Sequence, residues 1–109
     1  MKRDLESAIG NRQSAMDMIV GSLRVRLLVR ESRSLKDKRQ VVRSITDRLR
    51  NQWNVSVAEV DEQDHRQLVV LGVATVGNEV SHVRTILEQI ANALRAHPIA
   101  EFIDCEMEA

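Results

Sequence analysis

A chain of 109 residues, 43% hydrophobic and 29% charged, has room for one core and too much apolar content to remain unfolded. Its formal net charge is zero, yet residues 1–50 hold 13 of the 16 Lys and Arg against 6 acids, or +7, and residues 51–109 hold 3 against 10, or −7. The single Cys105 excludes an intrachain disulfide and a Cys-pair metal site, and no apolar run matches a membrane span or a signal peptide. A reducing, cytoplasmic setting is expected, with no membrane partner. So divided a charge either pairs internally or presents opposite faces to partners.

Residues 1–17, MKRDLESAIGNRQSAMD, have mixed charge and only Leu5 and Ile9 as large aliphatics before Met16. They read as a tail, disordered or a short helix, ahead of one domain at 18–109, and Met18 is a second possible start of translation. From Ile19 to Arg30, Leu23, Val25, Leu27 and Val29 alternate with Ser22, Arg24, Arg26 and Arg30, the period of a half-buried strand. Ser34 then stands three residues before Asp37, a capping-box-like start. Leu35, Val42, Ile45 and Leu49 share one arc of a helix from about Leu35 to Asn51, and Trp53 and Asn54 end it.

Val55 to Glu62 and Leu68 to Val76 read as two further strands joined by EQDHR. The run LVVLGVATV is nearly all apolar, so both faces of that strand are expected to be covered, in the middle of a sheet. Asn78 is the expected cap of a second helix, on which Val80, Val83, Leu87, Ile90 and Leu94 share a side and which His97-Pro98 stops. A last strand, Glu101 to Met107, would turn Ile103, Cys105 and Met107 one way and Phe102, Asp104 and Glu106 the other.

The order strand, helix, strand, strand, helix, strand with right-handed crossovers gives a split βαβ sandwich, four antiparallel strands with two helices on one face. Strand order four, one, three, two would set Arg24 and Arg26 beside Asp104 and Glu106 on the open face, so part of the charge split is internal.

The segments SLKDKRQVVRSITDRLRNQWNVSVAEVD, LVVLGVATVGNEVSHV and IDCEMEA closely resemble the YlxP-like family of small bacterial proteins, over roughly Met18 to the C-terminus. The resemblance implies a ferredoxin-like α+β fold and a cytoplasmic protein of undetermined activity. It also implies genes lying among those for translation initiation and ribosome maturation, an argument from neighbourhood and not from mechanism.

The first helix has a chemistry of its own. Arg33, Lys36, Lys38 and Arg39 crowd a helix start whose free N–H groups are already electropositive, which costs roughly 0.3–1 kcal/mol per cation. Lys36, Arg39, Arg43 and Arg50 continue along one flank, with Arg39 and Arg43 an i,i+4 pair of like charge. Arg33, Ser34, Lys36, Lys38, Arg39 and Arg43, with Arg50, therefore form a candidate phosphate site for RNA or a ribosomal subunit. The competing reading is a solvated basic face, or one neutralised by acids of a neighbouring subunit.

Only Trp53 and Phe102 could stack on bases, so RNA binding would be dominated by phosphate contacts and sensitive to salt. Trp53 is expected to pack in the core or a subunit interface rather than stack on a base, given the area an indole buries. No phosphate loop, nucleophile elbow or CxxC is present, and Asp61, Glu62, Asp64 and His65 lie where a hairpin needs polar residues. Neither catalysis, a metal nor a cofactor is expected. The open sheet face retains apolar residues, Leu28 and one row of the third strand among them. The alternative function is a homodimer, joined by that face or a strand edge, that binds protein or a small ligand.

Overall fold

Alternation in the first strand sets the layers: Leu23, Val25, Leu27 and Val29 are buried, while Val20, Arg24 and Arg26 on the other face are exposed. The structure, a computed structural model, describes residues 18–109, and the tail expected at 1–17 lies outside them. The elements follow as β1 (Ile19–Leu28), α1 (Leu35–Gln52), β2 (Ser56–Asp61), β3 (Leu68–Gly77), α2 (Val80–Arg95) and β4 (Glu101–Glu108). All strand pairs are antiparallel, in the order β2-β3-β1-β4. This is the expected ferredoxin-like βαββαβ sandwich. Among the described residues no helix is long and apolar enough to cross a membrane.

One core lies between the sheet and both helices. Val42, Ile45 and Leu49 of α1 and Val83, Leu87, Ile90 and Leu94 of α2 pack on Leu23, Val25 and Leu27 of β1 and Val69, Leu71 and Val73 of β3. Each such aliphatic contributes roughly 1.5–3 kcal/mol when fully buried. Gly21 lets α2 approach β1 closely: a Cβ there would overlap Val83 Cγ1 and stand 3.0 Å from Leu87 Cδ1.

Two imidazoles latch the turns that enter β3 and β4. His65 Nδ1 accepts from the N–H of Gln67 (3.0 Å) and Leu68 (2.9 Å), and His97 Nδ1 from Ile99 and Ala100 (both 3.1 Å). In each ring Nδ1 serves as the acceptor of two backbone donors at a strand entrance.

Three local expectations are corrected. The second helix takes Glu79, not Asn78, as its N-cap, and no side chain closes that end; helix ends shift easily by one residue when no cap geometry holds them. In β4 a register shift between Arg26 and Leu27 pairs Arg26 with Asp104 but Leu27 with Phe102. The bulged residue Ile103 is thereby exposed, and Phe102 joins Cys105 and Met107 against the core. The open face of β3 is covered at Val70, 2% exposed between Arg26 and Asp61, but Val76 is 54% exposed.

Candidate nucleic-acid interface on the first helix

The start of α1 is closed reciprocally, as Ser34-x-x-Asp37 suggests. Ser34 Oγ accepts from Asp37 N–H at 3.0 Å, and the Asp37 carboxylate accepts from Arg33 N–H at 3.0 Å. The cap takes one of the unpaired donors of the first turn and leaves the N–H groups of Leu35 and Lys36 outside it. Downstream, Lys36, Arg39 and Arg43 fall within an arc of about 60° at 3.6 residues per turn, and all three are exposed. Arg33 is exposed just ahead of them. Among the described residues none of these four cations has a carboxylate within 4.0 Å.

Lys38 does not belong to that surface. Its side chain is fully buried, and Nζ donates to the carbonyls of Glu62 (2.8 Å), Leu68 (3.2 Å) and Gln63 (3.3 Å). Glu59 Oε2 lies 2.9 Å away but off the hydrogen-bonding directions, since an ammonium has three N–H groups and the carbonyls take them all. That oxygen is buried without an aligned donor, held by charge alone. Lys38 thus ties α1 to the β2–β3 connection, in which Glu62 takes a positive φ of 55°. The signal was in the helix period: Lys38 stands three residues after Leu35 and four before Val42, in the apolar stripe. Glu59 is equally in phase with buried Val57 on β2.

Arg50 is also engaged, donating to the Val57 carbonyl at 2.7 Å with Asp47 at 3.9 Å. The contact lays this flank of α1 along edge strand β2. Trp53 is half-buried, donates from Nε1 to Gln89 at 3.2 Å, and lines a groove of about 440 Å³ between the two helices with Arg48, Asn92 and His97.

On the other side of the sheet one charge pair, Arg26 with Asp104, forms as expected, and a second, Arg30 with Glu101, joins it. Arg26 holds Asp104 through two bonds of 2.9 and 2.7 Å, and Arg30 holds Glu101 at 2.6 Å. Hydrogen bonds from these guanidiniums hold the Asp104 and Glu101 carboxyls below the usual carboxylate range. Arg24 departs from expectation. Its β4 partner is Glu106, but its guanidinium bonds Asp61 of β2 at 3.2 Å. Its β3 partner is Gly72, which brings no side chain of its own and lets Val60 of β2 lean over it, where a Cβ would meet Val60 Cγ1 at 2.8 Å. Glu106 and Glu108 have no cation within 4.0 Å among the described residues. No three His, Cys, Asp or Glu among the described residues are grouped to hold a metal.

Residues 20–107 match the family described as "Protein of unknown function (DUF503)". The chain is also similar to the uncharacterized protein YlxP of Bacillus subtilis (strain 168), 28% identical over 83 residues that span 76% of this chain and 90% of that protein.

Proposed function

This chain belongs to the DUF503 family of proteins of unknown function, and from its first helix we propose a non-enzymatic accessory protein that binds RNA or a ribosomal subunit through phosphate contacts. The observation that carries the reading is the flank of Arg33, Lys36, Arg39 and Arg43, exposed and without described carboxylate partners, at the electropositive end of α1. Mutual repulsion along a helix is costly to the fold, and an anion relieves it. Ser34 keeps its O–H to donate while its oxygen caps the helix. Phe102 faces the core and Trp53 lies between the helices, so phosphates and RNA shape carry the contact more than base stacking. Lys38 and Arg50 act inside the fold and set the flank's position.

The test is a salt titration of ribosomal RNA and ribosomal-subunit binding by the parent and by the Lys36→Glu, Arg39→Glu, Arg43→Glu variant. The parent should show a log–log salt slope steeper by roughly 2–3, at about 0.7–0.9 per phosphate contact. Equal binding by both proteins, or none by the parent, defeats the reading.

A further inference from the structure

We propose that the open sheet face receives the basic flank of α1 from a second copy of this chain, in a head-to-tail contact. The open face carries three exposed valines, Val20 (61%), Val60 (45%) and Val76 (54%), with Val20 directly opposite Val76. Apolar side chains gathered on one face of a sheet mark a surface that gains by being covered. Its charges select the occupant. The strand register places Arg24, Arg26, Asp61, Glu101, Asp104, Glu106 and Glu108 on this face, and Arg30 joins them through Glu101, three cations against five carboxylates. Pairing two such faces by a two-fold axis would set a net −2 against a net −2, with Glu106 and Glu108 still without a cation among the described residues. The flank of Arg33, Lys36, Arg39 and Arg43 has the complementary sign. It belongs to the helix layer, on the opposite side of the sheet from Glu106 and Glu108, so one molecule cannot bring the two together. Two copies can.

A contact between two different surfaces is heterologous, and it either closes a ring or extends a chain of subunits. The exposed cations of the flank and the carboxylates of the open face, on a chain of zero formal net charge, then neutralise each other between molecules. The contact occupies the flank assigned above to RNA, so polyanion and second copy exclude one another at each α1. The inference is nevertheless separable from that reading, because it is tested on β4 as well as on α1.

The experiment is analytical ultracentrifugation of the full chain at low salt (about 30 mM) and high salt (about 0.5 M), where screening shortens to a few ångströms. The parent should associate with rising concentration at low salt and become monomeric at high salt. Lys36→Glu, Arg39→Glu, Arg43→Glu turns the four-cation flank into one cation against three carboxylates and so makes both surfaces acidic, and Glu106→Lys, Glu108→Lys makes both basic; each variant alone should be monomeric. Mixed in equal amounts they should associate again, since each then offers the other its missing sign. Restoration on mixing requires folded protein, and the neutral pair Glu106→Gln, Glu108→Gln, expected to weaken association several-fold, covers a misfolded reversal. A parent that is monomeric at low salt, an association indifferent to the variants, or no recovery on mixing folded variants overturns the proposal.

Discussion

Lys38 Nζ stands 2.9 Å from Glu59 Oε2 while its three hydrogen bonds go to the carbonyls of Glu62, Gln63 and Leu68. One ammonium therefore neutralises a carboxylate on β2 and organises the β2–β3 connection at once. Lys38→Met should destabilise by about 3–5 kcal/mol, because it strands Glu59 without a countercharge. Adding Glu59→Leu should recover part of that loss and not all, since the three carbonyls still lack their donor. Urea unfolding of the two variants measures the difference; equal midpoints for Lys38→Met and the parent would refute the clamp.

Lys36 sets stability against binding. A carboxylate in the first turn of a helix is favoured where a cation is not, so Lys36→Glu should stabilise by about 0.3–1 kcal/mol while weakening RNA binding. Thermal unfolding and a binding titration on the same sample check the two signs. A variant less stable than the parent would mean that Lys36 has a partner within the fold.

His97 supplies a pH dependence. Burial first, and repulsion from Arg48 second, push its imidazole below the ordinary value, near 6.5. A histidine with a lowered pKa in the fold favours the neutral form, and the unfolded chain takes up protons first. Its contribution is complete above about pH 6.5 and is lost as pH falls towards the lowered value, where protonation also displaces the Ile99 and Ala100 N–H groups. Arg48→Gln should move the imidazole part of the way back up, since burial, the larger cause, stays. Proton NMR of the His97 ring reads both; a value at or above that of a free histidine in the parent would contradict the latch.

Gly21 is a packing requirement. Gly21→Ala places a methyl into Val83 and against Leu87, and should cost about 1–3 kcal/mol as overpacking does. Val83→Ala in the same chain should return some of it. Additive losses in the double variant, from denaturant melts, would show that the two sites do not share space.

The sequence by itself determined the secondary structure, the layer order and one open-face ion pair, Arg26 with Asp104. Periods of 2.0 and 3.6 state which side of each element is apolar, and right-handed crossovers then leave one economical arrangement. Ser34 and Asp37 declared the start of α1 in the same local way. Tertiary structure alone decided which cations reach water. Lys38 and Lys36 differ by two positions on one helix, yet one is sealed over β2 and the other exposed. Lys38 already sat in the apolar stripe, but only the β2–β3 connection, folded back over α1, brings the carbonyls that make a buried ammonium tolerable. The bulge at Ile103 and the reach of Arg24 across β3 to Asp61 are of the same kind. Each depends on what lies across a neighbouring strand, a distance that local periodicity does not encode.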